Sequence, residues 1–220
     1  MTRRNLNELE ANQLLSSIGI SMAKTVLCTS SDETLKVAEE IGFPVVLKIL
    51  SPDILHKTEA GCVKVGIGNN DDLVKGYEEI INNAKNYNPH ANIKGVILQK
   101  MLPKGLELIF GISKDPQFGY TIMFGMGGIY VEVYQDIALR LVPINKEEAL
   151  KMIDETKISK ILKGARGKQY DINEVVDILL KLSDLVVNRP EIEEVDINPF
   201  ILYEKGVAGS GADALITLEQ

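Results

Sequence analysis

The sequence predicts an α+β protein, a mixed α/β chain in two lobes, and three observations predict it. Helical and strand patterns alternate unevenly, with strand clusters late in the chain, which argues against one regular doubly wound sheet. The pattern changes after Pro103-Lys104-Gly105, placing a boundary near Leu102 to Gly105. No internal repeat or low-complexity segment divides the chain further. The expected domains are therefore residues 1–102, an N-terminal helix with the first lobe, and 103–220, the second lobe.

Each element follows from a local pattern. Leu6, Leu9, Leu14, Leu15 and Ile18 recur at helical spacing, and Gly19 supplies a stop. Val26 to Thr29 reads as a short strand. Ser30-Ser31-Asp32-Glu33 has the Ser-x-x-Glu form of a capping box before a helix from Glu33 to Ile41, which Gly42 ends. Pro44 to Ile49 is an apolar strand that contains Lys48, and a polar loop runs from Ser51 to Gly61. Val63 to Ile67 reads as a strand, Asp71 to Lys85 as a helix, and Ile93 to Met101 as a buried strand.

Beyond the boundary, Leu106 to Ser113, Tyr120 to Phe124 and Ala138 to Val142 read as strands, with turns at Asp115-Pro116 and from Gly125 to Gly128. Lys146 to Asp154 and Ile172 to Val187 read as helices. Glu194 to Ile197, Phe200 to Tyr203 and Ala214 to Leu218 complete the strands.

Composition narrows the function. The 220 residues suffice to bury roughly 70% of the unfolded surface. With 45% hydrophobic and 25% charged residues, a disordered or collagen-like chain is excluded. Lys and Arg number 24 against 31 Asp and Glu, a net charge of −7. No nucleic-acid partner is expected from such a balance, because a basic face supplies most of that affinity. No apolar run approaches the ~20 residues that span a bilayer, and no apolar stretch follows Arg3-Arg4, so neither membrane insertion nor a signal peptide is expected. Cys28 and Cys62 are too few for a disulfide framework and too far apart in sequence for a zinc motif, which suits reduced thiols in a cytoplasmic protein. Imidazole chemistry has two places to occur, His56 and His90.

Three glycine patterns invite a nucleotide-loop reading. Gly164-Ala165-Arg166-Gly167-Lys168-Gln169 is too short for a P-loop and carries Gln where a metal-binding hydroxyl belongs. Gly209-Ser210-Gly211 has too little chain after it for a dinucleotide fold. Gly125-Met126-Gly127-Gly128 follows a strand but has Tyr130 at the third glycine position. Either an anion-approaching turn or a plain tight turn fits it.

Other residues are more informative. Lys48 within an apolar strand is either a cation held for a phosphate or a lysine snorkelling from a sheet edge. His56, in Ser51-Pro52-Asp53-Ile54-Leu55-His56-Lys57-Thr58-Glu59-Ala60-Gly61, has carboxylates near enough to fix an imidazole tautomer, which suits a nucleophile or base. His90 sits among turn residues. Asp196 and Asn198 alternate, so on a strand they share a face, and Asp213 follows. Such oxygen donors suit Mg²⁺, whereas an Asx-capped turn before Pro199 is the simpler alternative.

Together these segments resemble the ATP-grasp β subunit of ADP-forming acyl-CoA (acetyl-CoA) synthetases, relatives of succinyl-CoA synthetase. The resemblance spans nearly the whole chain. It rests on Gly42 to Lys48, Asp53 to Gly61, Gly105-Leu106-Glu107-Leu108-Ile109-Phe110-Gly111, Asp115-Pro116-Gln117-Phe118-Gly119, Gly125 to Gly128 and Asp196-Ile197-Asn198-Pro199, in the family order. It implies an ATP-grasp fold whose two lobes clasp a nucleotide. It further implies that Lys48 contacts the nucleotide phosphates and that Gln99, Lys100 and Met101 meet adenine through backbone groups. Glu107 would hold the ribose, and Asn198 and Asp213 would ligate Mg²⁺ with support from Asp196. His56 matches a transiently phosphorylated histidine, and Arg140 with the Gly125 to Gly128 turn would lie near the transferred phosphoryl group.

The cofactors implied are ATP or ADP and Mg²⁺, and the partner implied is a CoA-binding α subunit. The reaction would be acyl-CoA, ADP and phosphate giving acid, CoA and ATP, with the phosphoryl group relayed through His56 on a loop able to move. Two departures from the family pattern stand out: Cys62 replaces a second glycine, and Leu215 replaces a basic residue after Asp213-Ala214. Two other readings are an ATP-grasp ligase that forms an acyl phosphate directly and a non-catalytic ATP-grasp interaction module.

Overall fold

A computed structural model describes residues 3–54, 56–128 and 136–219. Leu55 of the histidine loop and Tyr130, noted above beside the glycine turn, lie outside the described residues. In chain order the elements are β1 (Arg3–Asn5), α1 (Glu8–Ser17), β2 (Thr25–Cys28), α2 (Ser31–Ile41), β3 (Val45–Leu50), β4 (Val63–Ile67), α3 (Asn70–Tyr87) and β5 (Gly95–Lys100). There follow β6 (Leu106–Asp115), β7 (Gly119–Met126), β8 (Ile137–Leu141), α4 (Lys146–Glu155), the single turn α5 (Ser159–Leu162), a 3₁₀ turn at Ala165–Gly167, α6 (Ile172–Asn188), β9 (Ile192–Leu202), β10 (Ser210–Gly211) and β11 (Ala214–Glu219). No helix among the described residues is long and apolar enough to cross a membrane.

The chain forms two units, one of Ala23–Pro103 and one of Met1–Met22 with Lys104–Gln220. The N-terminal helix therefore groups with the later strands rather than with the first lobe. The reason is pairing and packing: β1 runs antiparallel to β11, Leu6 N–H donates to the Ile216 carbonyl, and Ala11 and Leu15 of α1 join the core of the larger unit.

The smaller unit is an antiparallel sheet in the order β2-β5-β3-β4. Val45, Leu47 and Ile49 of β3 and Val96 and Leu98 of β5 meet α2 and α3 in one apolar core, as period-2 alternation dictates. Gly76 lets α3 lie close to the sheet, since a Cβ there would sit 3.2 Å from Ile67 and 3.4 Å from Leu47. Ser30 caps α2 by accepting from Glu33 N–H. The predicted capping box is shifted by one residue: the Glu33 carboxylate accepts from the backbone N–H and hydroxyl of Thr29.

The larger unit is built on a sheet in the order β1-β11-β9-β6-β7-β8, with β10 beside β9. Leu108 and Phe110 of β6, Ile122 and Phe124 of β7 and Val195 and Ile197 of β9 line the core face. Phe110 stands edge-on to Phe200, ring centroids 5.6 Å apart. Sequence predicts two strands here, Glu194 to Ile197 and Phe200 to Tyr203, whereas β9 is continuous. Its register against β6 shifts between Leu108 and Phe110, so that Asn198 and Pro199 form an irregularity inside a paired strand. The opposite edge is bridged by Asn198 N–H donating to the Asp213 carbonyl and Ala212 N–H donating to the Pro199 carbonyl. Sheet partners on both sides hold a segment that local turn chemistry alone would bend away.

Candidate functional site

In the smaller unit the residues of interest share one hairpin and its neighbour. Lys48 pairs with Val63 of β4 and Ile97 of β5, so it belongs to an interior strand and not to a sheet edge. It is only 7% exposed and lies on the face turned away from α2 and α3, with Gln99, itself 3% exposed, two residues beyond Ile97 on the same face of β5. A lysine at such burial on an interior strand is not one snorkelling from a sheet edge.

The loop between β3 and β4 carries His56. Its base is closed by Ile49 N–H donating to the Cys62 carbonyl at 3.0 Å and Cys62 N–H donating to the Lys57 carbonyl at 2.8 Å. Ile54 is buried in the core, and Asp53 accepts from Asn92 N–H at 2.6 Å. Gly61 takes φ +65°, which favours glycine, and its carbonyl accepts from Asn83 of α3 at 2.8 Å. Cys62 lies wholly within the core. It fastens the loop end and leaves the adjacent glycine conformation to Gly61 alone. Burial pushes the Cys62 thiol up, as befits a packing residue. Between these anchors the His56 side chain is 71% exposed, its Nδ1 3.9 Å from Glu59 Oε1.

Lys100 and Met101 are less free than the resemblance implies. The Lys100 ammonium donates to the carbonyls of Gly42 and Phe43, fastening the turn before β3 to β5. The backbone N–H of Lys100 goes to the Lys24 carbonyl and that of Met101 to the Pro44 carbonyl. Backbone recognition along this segment would fall to carbonyl groups.

In the larger unit four predicted residues come together. Asp196 and Asn198 face away from the core that Val195 and Ile197 enter. The Asn198–Asp213 backbone hydrogen bond brings the loop before β11 alongside. The turn after β7 completes the group: Gly127 N–H donates to the Glu107 carbonyl and Gly128 N–H donates to Asn198 Oδ1, both at 2.9 Å. A Cβ on Gly127 would lie 2.4 Å from the Leu108 carbonyl oxygen, so close backbone approach requires that glycine.

Burial and like charge dominate the electrostatics of this group. Burial pushes the Asp196 carboxyl up to about 6, and repulsion from Glu194 and Asp213 adds to it. Among the described residues no cluster of three or more His, Cys, Asp or Glu side chains is placed to cage a metal. One or two carboxylates with an amide oxygen fit Mg²⁺, which takes its remaining ligands from phosphates and water. Glu194 was not singled out by sequence reasoning, although its i−2 spacing from Asp196 on a strand signals a shared face.

Arg140 does not join the group. It pairs with Ile122 across β7 and β8, and β8 lies three strands from β9 in the sheet order. Its guanidinium donates to Glu155 through two bonds, at 2.5 and 3.0 Å, and to Glu148 at 3.1 Å, tying β8 to α4. The Gly209-Ser210-Gly211 pattern has a packing explanation, since a Cβ on Gly209 would meet the Phe200 ring and one on Gly211 would meet Met22, whereas Gly164 and Gly167 serve positive φ alone.

Comparison with known proteins identifies the family. Residues 1–218 match the family described as ATP-grasp domain. The chain is 46% identical over 202 residues to the β subunit of Acetate–CoA ligase [ADP-forming] I from Pyrococcus furiosus, covering 91% of this chain and 87% of that one. It is also 46% identical over 219 residues to the β subunit of the second such ligase of that organism, covering 99% and 93%. Among solved structures it superposes with TM-score 0.92 and 42% identity on a dinucleotide-forming acetyl-coenzyme A synthetase of Ca. Korarchaeum cryptofilum in complex with coenzyme A and Ca-AMPCP, covering 98% and 94%. Other structures of that protein hold Mg-AMPPCP with a phosphohistidine segment pointing towards the nucleotide binding site, or a phosphorylated phosphohistidine segment.

Proposed function

The chain belongs to the ATP-grasp family, among the β subunits of ADP-forming acetate–CoA ligases, and on that premise we propose that it catalyses phosphoryl transfer to ADP through His56. The full reaction converts acyl-CoA, ADP and phosphate to acid, CoA and ATP, reversibly. A CoA-binding α subunit would form the acyl phosphate and hand over its phosphoryl group, a division of labour in keeping with the "subunit beta" names of the relatives. The free, buried cysteines suit an enzyme of the cytoplasm.

One observation carries the reading. An exposed histidine stands on a loop whose two ends are fastened to the strands that hold a buried lysine. Neutral imidazole attacks the incoming phosphoryl group, forming a P–N bond as the donor's bond breaks. An ADP oxygen then attacks the same phosphorus and releases the imidazole. Glu59 Oε1, 3.9 Å from Nδ1, would on closer approach accept the Nδ1 proton's hydrogen bond and leave Nε2 as the nucleophile. Lys48 neutralises the phosphates, and Glu107 holds the ribose. Asn198 and Asp213, supported by Asp196, would hold Mg²⁺, which when bound supplies charge neutralisation between the phosphates. The salt bridges of Arg140 favour a structural role for that residue.

The test is to incubate the chain and its α partner with Mg²⁺ and labelled ATP and to follow acid-labile, base-stable phosphate on the chain. Label on the wild type and none on His56→Ala is the expected result. Unchanged turnover by His56→Ala would replace the relay with direct formation of an acyl phosphate.

A further inference from the structure

Gly128 differs from four other glycines of positive φ. At Gly66, Gly119, Gly167 and Gly206 a Cβ would meet open space, so the backbone angle alone accounts for glycine there. At Gly128, with φ +69°, a Cβ would fall 1.8 Å from Glu107 Oε2 and 3.0 Å from its Cδ. The space beside this α-carbon is therefore filled by the Glu107 carboxylate. The same residue donates its N–H to Asn198 Oδ1, and its neighbour Gly127 donates to the Glu107 carbonyl. One peptide turn thus touches both a carboxylate on β6 and an amide on β9, adjacent strands of one sheet.

We propose that Gly128 is a positioning residue that sets the Glu107 carboxylate for the nucleotide ribose and aims the Asn198 amide oxygen for the metal. Glu107 is an exposed side chain that in free solution would sample several rotamers. The missing Cβ gives its carboxylate a place to lie against the turn. The Gly128 N–H fixes which way the Asn198 amide faces, because an N–H can be accepted by the oxygen and not by the NH₂ group. Ribose recognition and metal binding are then coupled through one residue that touches neither ligand with a side chain. This inference rests on the reading that Glu107 and Asn198 serve the nucleotide and the metal.

The experiment measures calorimetric affinity of the complex of chain and α partner for ADP and for 2′,3′-dideoxy-ADP, with Mg²⁺ titrated separately. Thermal unfolding serves as the control for integrity. Wild type is expected to prefer ADP by about tenfold or more, the value of a hydrogen bond to a charged group. Gly128→Ala is expected to lose most of that preference and to need several-fold more Mg²⁺. Gly128→Asn tests the same displacement in a residue that tolerates positive φ, should alanine fold poorly. In the double variant Glu107→Ala/Gly128→Ala, the preference should be no lower than in Glu107→Ala alone.

Full ADP preference in a folded Gly128→Ala or Gly128→Asn variant would overturn the proposal, as would multiplicative losses in the double variant. Wild-type ribose preference in Glu107→Ala would instead overturn the assignment of Glu107 on which the proposal rests.

Discussion

Ile49 donates its backbone N–H to the Cys62 carbonyl at 3.0 Å, one residue beyond Lys48 and at the foot of the loop that carries His56. Lys48 and His56 are thereby held by one hairpin. Ile54, 1% exposed, is the loop's own anchor in the core. Ile54→Ala is expected to cost about 2–5 kcal/mol in denaturant unfolding, the range for a buried large-to-small change. Hydrogen exchange should rise across 51–62 beyond the global effect, and phosphorylation of His56 should slow.

Lys48→Met keeps the length of the side chain and removes its charge. Because Lys48 is buried on an interior strand, its contribution should be read by the phosphates and not by the base. ADP affinity should fall about tenfold or more, while adenosine affinity stays within about twofold of wild type. Equal losses for both ligands would remove Lys48 from the phosphate site.

Arg140 gives the opposite expectation. Its bonds to Glu148 and Glu155 join β8 to α4 at a partly exposed position. Arg140→Ala should lower stability by about 1 kcal/mol, toward the upper end for such pairs. The ADP affinity and His56 labelling of the complex should be unchanged. Loss of transfer without loss of stability would return Arg140 to the phosphoryl group.

The pH dependence follows from Asp196. Its carboxyl is raised from 3.8 to about 6, chiefly by burial. The folded chain therefore holds this proton to higher pH than the unfolded chain does. The contribution of this group to stability declines as pH rises from about 4 to 6 and stays low above that. Asp196→Asn should flatten this decline in pH-resolved unfolding and be more stable than wild type at pH 8. On the proposed reading a bound Mg²⁺ would favour the ionised form, so Mg²⁺ binding with ADP near pH 5 should release a proton, visible as buffer-dependent heat. Asp196→Asn should abolish that release.

What the sequence makes legible is local. Period-2 alternation places Asp196 and Asn198 opposite Val195 and Ile197, and the structure keeps that division. The apolar run around Lys48 likewise marks its strand. Arg140 was harder to read, because its partners lie eight and fifteen residues away on a helix whose packing no local pattern announces. Asn198-Pro199 reads as a turn because both residues favour one, and only the strands on either side hold β9 straight. The grouping of α1 with the later strands depends on β1 meeting β11, the most distant pairing in the chain. Gly128 looks in sequence like any turn glycine. Its neighbours Glu107 and Asn198 come from other strands, so the significance of its missing side chain emerges only in three dimensions.

The pairing of β1 with β11 puts Arg3 opposite Glu219, so the first and last described residues stand a single ladder step apart. A short glycine-rich linker would join them and close the polypeptide into a ring. That ring could be cut anew at Gln117-Phe118, the exposed tip between β6 and β7, where Asp115 Oδ1 accepts from both backbone N–H groups. Such a circular permutant would exchange a distant pairing for a local one while leaving the order of strands in the sheet intact.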